Sequence, residues 1–278
     1  MTTCDAGLAA VQAGDHATAE PLLAECVRSK AATLQAFLAL AGVQQSRRDD
    51  PALLATALEG INRFPDEKRF YLTAGTIAGR RGDLDAAIAA LTSAYRRWPE
   101  DTKVQNLLAS AYAVRGSGHL DRAGNTKAAE DLAKAVRLNP GDAEAWLNLG
   151  RAQQNLLRFA DALQSFLQVK EAPLLHFHRG MAQYSLGNFQ AAIAEFDHEP
   201  DYPPARLIGG LSKLSLGDAR AALADLEFAA AKMPDNAQAA GGCGRALLRL
   251  GRVADAESYL RRAAELEPRD PAPLNTLV

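Results

Sequence analysis

Aromatic residues make up only 6% of this chain, and no run of some twenty apolar residues occurs in it. The first shortage means that any substantial core must be built from aliphatic side chains, chiefly Ala and Leu. The second excludes an apolar segment of membrane-spanning length, which needs about 20 residues. An excess of one charge is also missing. Lys and Arg number 31 against 33 Asp and Glu in 278 residues, for a net charge of −2. Without a basic stripe, nucleic acid is a poor partner. Met1-Thr2-Thr3 is not followed by a charged and then apolar segment, so the sequence shows no export signal.

Catalytic chemistry is equally thin. Five histidines are scattered along the chain. His176 and His178 would diverge on a helix, and with His198 they make a poor metal set, because zinc needs three or four convergent ligands. Gly241-Gly242-Cys243-Gly244 follows no strand, so it is not a dinucleotide loop, and neither a Gly-x-Ser-x-Gly elbow nor a phosphate loop is present. The residues point to a non-enzymatic chain with no cofactor and no metal.

What the chain does have is a ladder of small residues. Ala19, Leu53, Ala87, Ala128, Ala162, Ala192, Ala222 and Ala256 are separated by 34, 34, 41, 34, 30, 30 and 34 residues. Twelve residues before these rungs stand Gly7, Gly75, Gly150, Gly180, Gly210 and Gly244. Twelve residues after them stand Pro65, Pro99, Pro140, Pro204, Pro234 and Pro268. A period near 34 marks a helix–turn–helix unit that cannot bury its apolar face alone and must stack on its neighbours.

The physical roles follow from the spacing. Gly inside a helix costs about 1 kcal/mol relative to Ala, a cost that makes sense where bare backbone lets the partner helix approach. The rung Ala serves the same approach from the other helix, and Leu or Phe four residues later shares its face. Pro ends the second helix, because it cannot continue the hydrogen-bond ladder and disfavours the α region in its predecessor. Gly14-Asp15, Gly82-Asp83, Gly187-Asn188 and Gly217-Asp218 read as turns in which Gly adopts the left-handed region and Asp or Asn caps the next helix.

These residues carry a family resemblance. Trp146, Leu149 and Gly150, followed by Ala162 and Phe166, resemble the W-x2-L-G, small and aromatic slots of a tetratricopeptide repeat (TPR). The likeness extends over almost the whole chain, although Trp is absent from the other first slots, Gln153 replaces the usual Tyr and Leu53 replaces one small residue. It implies an all-α, right-handed α-solenoid of about eight TPR-like repeats, forming one domain over residues 1–278. A partial helix is expected over 270–278, and its last residues, Leu277 and Val278, read as a truncated end or one covered by a partner.

Two places break the period. The 41-residue step carries seven extra residues around 115–125; either the paired helices are each about one turn longer or a surface loop protrudes, and Gly116, Gly118 and Gly124 favour the loop. The two 30-residue steps between 162 and 222 lose about one turn each, at the end of the second helix and its connection. His176, Arg179 and Gln183 here occupy slots that are normally apolar. Cys243 reads as a small buried residue. Cys4 and Cys26 bracket the first hairpin and could meet across it. A soluble cytoplasmic chain is the default reading, and a Cys4–Cys26 bridge would turn it toward export into an oxidising compartment.

Phe177, Met181 and Tyr184 form one apolar stripe by helical spacing, and Leu207, Leu211 and Leu214 form another. In TPR proteins such positions line the concave surface that holds peptides or partner helices. The resemblance therefore implies a protein–protein interaction scaffold that takes a peptide or partner protein over these six residues, which would then stand partly open; helix rotation after the short connections would instead turn the stripes inward as ordinary core. The alternative is a regulatory or targeting TPR segment of a larger enzyme whose catalytic domain lies outside this chain.

Overall fold

The computed structural model describes residues 2–268, so the helix expected over 270–278 lies outside the described residues. Among the described residues there are sixteen α-helices and no strand. The chain divides into two compact units, one ending at Asp142 and one beginning at Ala143. In the first unit, α1 (Thr3–Gln12) pairs with α2 (His16–Arg28), and α3 (Leu34–Ser46) with α4 (Asp50–Arg63). There α5 (Lys68–Arg80) pairs with α6 (Leu84–Arg97), and α7 (Thr102–Asp121) with α8 (Asn125–Leu138). The second unit pairs α9 (Ala143–Asn155) with α10 (Phe159–Leu167), and α11 (Leu175–Ser185) with α12 (Phe189–Phe196). Its last hairpins are α13 (Pro203–Ser215) with α14 (Ala219–Lys232) and α15 (Ala237–Arg249) with α16 (Val253–Leu266).

Local chemistry sets the helix ends. Asp15, Asp49, Asp83 and Asp218 each accept a bond from a backbone N–H of the helix they open. The residue before three of these caps is glycine at φ between 77° and 92°, a region that glycine enters without steric cost. Arg48, Ala123 and Leu157 hold the equivalent turns at φ near 57–59°. At the other end, Phe64, Trp98 and Met233 precede proline and leave the helical region, with φ near −130° and ψ near 67°, as a following proline demands.

The rung residues are among the most deeply buried in the molecule. Ala19, Ala87, Ala128, Ala162, Ala192, Ala222 and Ala256 are all fully enclosed, and Leu53 is buried with them. Opposite each lies a helix that comes very close. A Cβ placed on Gly150 would lie 2.4 Å from the ring of Phe166, nearer than any real side chain could sit. Gly116, twelve residues before Ala128, belongs to the same set and meets Leu132.

The 41-residue step is helical, which corrects the loop expected around 115–125. The extra residues extend α7 to 20 residues. The N-terminal half of α7 packs Val104, Leu108 and Ala111 on the core around Leu91, and its C-terminal half takes Leu132 at Gly116. Gly116 and Gly118 are therefore interior to a helix, and the turn falls at Arg122 to Gly124. The short steps behave as expected: α10 and α12 have 9 and 8 residues where α14 and α16 have 14.

A polar pattern crosses the hairpins three residues after the rung. Asp131 accepts two bonds from Arg115, at 2.7 and 2.9 Å. Ser165 donates to Gln153 at 2.7 Å, His176 contacts Glu195 at 2.7 Å, and Lys213 donates to Asp225 at 2.6 Å. Each bond ties the second helix of a hairpin back to the first, and Asp131, Ser165 and Asp225 are buried.

The free thiol of Cys243 is fully buried, and burial pushes it up to about 12, so it packs as a small apolar group. Cys4 and Cys26 are joined by a disulfide, with Cα atoms 5.0 Å apart.

Two stability measurements test this architecture. Ala162→Arg would force a long charged side chain into a closed contact, through overpacking and an unpaired buried charge. It should cost several kcal/mol, on the order of 3–5, and an unshifted melting curve would show the repeat register to be wrong. Closing a loop of this size stabilises by about 3 kcal/mol. Reduction, or Cys26→Ala, should therefore lower the melting temperature, and free-thiol counting on the unreduced protein should find Cys243 alone. Three titratable thiols under denaturing, non-reducing conditions would disprove the bridge.

Candidate functional site

Helices α9, α11, α13 and α15 are the first helices of the four hairpins of the second unit, and successive ones touch directly. Their faces turned away from the second helices form a continuous surface, and the two apolar stripes lie on α11 and α13. Phe177, Met181 and Tyr184 are half-buried. They pack against Ala192, Phe196 and Ala205, with Phe177 edge-on to Tyr202 at 5.0 Å and Tyr184 edge-on to Phe189 at 5.6 Å. Leu207, Leu211 and Leu214 are only 4–5% exposed and join the core with Leu223, Leu226 and Leu247. The expectation that all six side chains stand partly open thus narrows to the three on α11. Leu211 is covered where α15 approaches closely at Gly242, whose absent Cβ would lie 2.8 Å from Leu226 and 3.4 Å from Leu211.

The two sets still meet at one place. Tyr184, Leu211, Leu214 and Ser215 line a cleft of about 170 Å³ together with Gln238, Arg245 and Arg249 of α15. The Ser215 hydroxyl is turned back onto the Leu211 carbonyl at 3.0 Å. Arg249 donates to the Leu214 carbonyl oxygen. The cleft therefore has an apolar floor and a cationic rim, and no carboxylate lines it.

The unusual polar residues of α11 serve the fold. Arg179 donates to the carbonyls of Phe166 and Val169 at 2.9 and 2.8 Å, so it holds the end of the shortened α10. Gln183 accepts from Asn188 at 2.9 Å across the turn. His178 stacks on Phe166, and its pKa lies below the ordinary range, first through burial and then through the charge of Arg151. His176 stacks on His198 at 4.2 Å and bonds Glu195. The three histidines do not converge.

A second, larger cleft borders the extended α7. It measures about 520 Å³, and Asp83 and Asp85 face Arg115, His119 and Arg122 across it. Its charges largely satisfy one another: Arg115 reaches Asp85 at 2.5 Å as well as Asp131. The loop expected here gives no sign of this pairing, whose partners Asp85 and Arg115 lie 30 residues apart.

Comparison with known proteins agrees with this fold. Residues 72–118, 114–173 and 213–277 match sequence profiles of the tetratricopeptide repeat, and the chain belongs to that family. No curated protein matches it in sequence. Among solved structures it resembles YrrB, described as a TPR protein with an unusual peptide-binding site. That likeness is at 19% identity and a TM-score of 0.55, over 68% of this chain and 98% of that one. It also resembles PilW, a type IV pilus biogenesis factor, at 20% identity and a TM-score of 0.51, over 76% of this chain and 98% of that one. A third likeness is to MamA from Desulfovibrio magneticus RS-1, at 17% identity and a TM-score of 0.53, over 58% and 95%. At these identities the likeness concerns the fold.

Burial assigns Leu211 a structural role that a melting curve can check. Leu211→Ala should destabilise the protein by about 2–5 kcal/mol, the usual cost of a cavity in a closed core. A change below about 0.5 kcal/mol, typical of surface positions, would place Leu211 on an open face instead.

Proposed function

We propose that this chain is a non-enzymatic scaffold that holds an extended peptide or partner segment on the first-helix face of its second unit, the concave face of a TPR solenoid. Phe177, Met181 and Tyr184 supply the contact, and Leu207, Leu211 and Leu214 form the support beneath. The observation that carries this reading is the cleft in which half-buried Tyr184 meets Leu211 and Leu214 beside two arginines of the next helix. Half-buried aromatics and Met offer large apolar area with adaptable shape, a combination suited to a partner side chain. Four adjoining first helices give such a segment a continuous track, and extended recognition of this kind draws its specificity from side-chain pockets. The peptide-binding site ascribed to YrrB is consistent with a TPR surface used in this way. The Cys4–Cys26 bridge supports a working place in an oxidising compartment, since such bonds do not persist where thiols are kept reduced.

Selection of a random peptide library on the full chain tests the site. Enriched peptides should lose at least about tenfold in affinity, about 1.4 kcal/mol, on Met181→Glu. They should be indifferent to Glu257→Ala, on the exposed face of α16. Peptides that bind both variants as well as the parent chain would move the site elsewhere.

A further inference from the structure

One slot of the repeat separates the partner's chemistry from its shape. The residue immediately after the hairpin glycine is Arg151 on α9, Met181 on α11, Leu211 on α13 and Arg245 on α15. Because successive first helices touch, these four form a row across the second unit: a cation, two apolar side chains and a cation. Arg249 lies one helical turn beyond Arg245 and adds to the same end of the row.

The three arginines differ from six other cations of the second unit. Arg158, Arg206, Lys213, Arg252, Arg261 and Arg262 are each paired with a carboxylate of this chain, at 2.5–3.2 Å. Arg151, Arg245 and Arg249 are exposed. Among the described residues Arg151 donates to the neutral side chain of Asn148, and Arg249 to the Leu214 carbonyl oxygen. Neither bond neutralises the charge. Arg151 lies on α9, the helix in direct contact with the α11 that carries Phe177, Met181 and Tyr184.

We infer that the segment held by this groove is acidic at both flanks and apolar at its centre. Its apolar side chain lies over Met181 and the Tyr184–Leu211 cleft, while Asp or Glu residues meet Arg151 at one end and Arg245 with Arg249 at the other. Neighbouring packed helices lie about 8–10 Å apart, so the row from α9 to α15 spans about 24–30 Å. An extended chain rises about 3.3 Å per residue, which sets the two acidic positions about seven to nine residues apart. This assignment rests on the proposed groove and adds to it the charge and spacing of the occupant.

The peptides enriched on the full chain decide the matter through their charge pattern. The expected result is Asp or Glu on both sides of an apolar centre, with affinity falling steeply as ionic strength rises from about 0.01 to about 0.15 M. Over that range the screening length shortens from about 30 to about 8 Å. Arg245→Glu should weaken these peptides at least about tenfold and improve Lys-flanked versions of them, since like charges across an interface are strongly disfavoured. Arg245→Gln should fall between, and a circular-dichroism melt of each variant should match the parent chain. Enriched peptides without an acidic bias that are still lost on Met181→Glu would overturn the charge assignment and leave the groove standing. Peptides indifferent to Met181→Glu, or no enrichment at all, would overturn both.

Discussion

Every hairpin for which the ladder supplies a glycine closes on the contact of that bare glycine with a large side chain of the opposite helix. Gly150 and Gly180 receive the rings of Phe166 and Phe196, and Gly75, Gly210 and Gly244 receive Leu91, Leu226 and Leu260. A Cβ at any of these positions would overlap its partner by a wide margin, with closest approaches of 2.4–2.8 Å. The helix propensity lost at each glycine is about 1 kcal/mol. In return the second helix comes near enough to bury both its rung alanine and the large side chain four residues on. The repeat period is therefore a period of close approaches. Where it stretches to 41 residues, Gly116 still meets Leu132, and α7 lengthens to reach both neighbours.

Apolar contacts of this kind hold helices together without fixing how far one slides along the other. The polar residue three positions after the rung supplies that register. Buried Asp131 and Asp225 would be costly alone, but each sits against cations of its own first helix. Ser165 and Glu195 do the same with neutral or imidazole partners. Such pairs add little net stability over well-packed apolar residues. A slip of one residue would leave a buried charge unmatched, so what they contribute is alignment.

The sequence made the ladder legible because glycine, alanine and proline act through their own backbone and volume, within a dozen residues. The loop expected around 115–125 failed for the same reason turned round. Gly116 and Gly118 read locally as loop residues, whereas Gly116 is a member of the ladder and its partner Leu132 lies sixteen residues on. Helical spacing correctly grouped Phe177 with Met181 and Tyr184, and Leu207 with Leu211 and Leu214. It could not say which stripe a neighbour covers, because the cover on the leucines comes from Gly242 and Leu226 in other helices. The partners of Asp131 and Arg179 were likewise hidden, since pairing across a hairpin leaves no periodic mark.

Stability and the proposed recognition fall on adjacent residues. The hairpin glycine faces the second helix and tolerates no side chain, while the residue after it sits on the face turned away and varies freely. In the first unit that slot holds Leu8, Thr76 and Ser117, with Gly42 after Ala41 in the second hairpin, a set without charge. In the second unit it holds Arg151, Met181, Leu211 and Arg245. A change there alters what the surface attracts without opening the contact on which the hairpin closes. Where the slot is also roofed by the next hairpin, as at Leu211 beneath α15, the two roles merge. In the proposed groove Arg151 and Arg245, exposed on either side of it, are the positions at which a substitution would retune the partner while leaving the fold as it is.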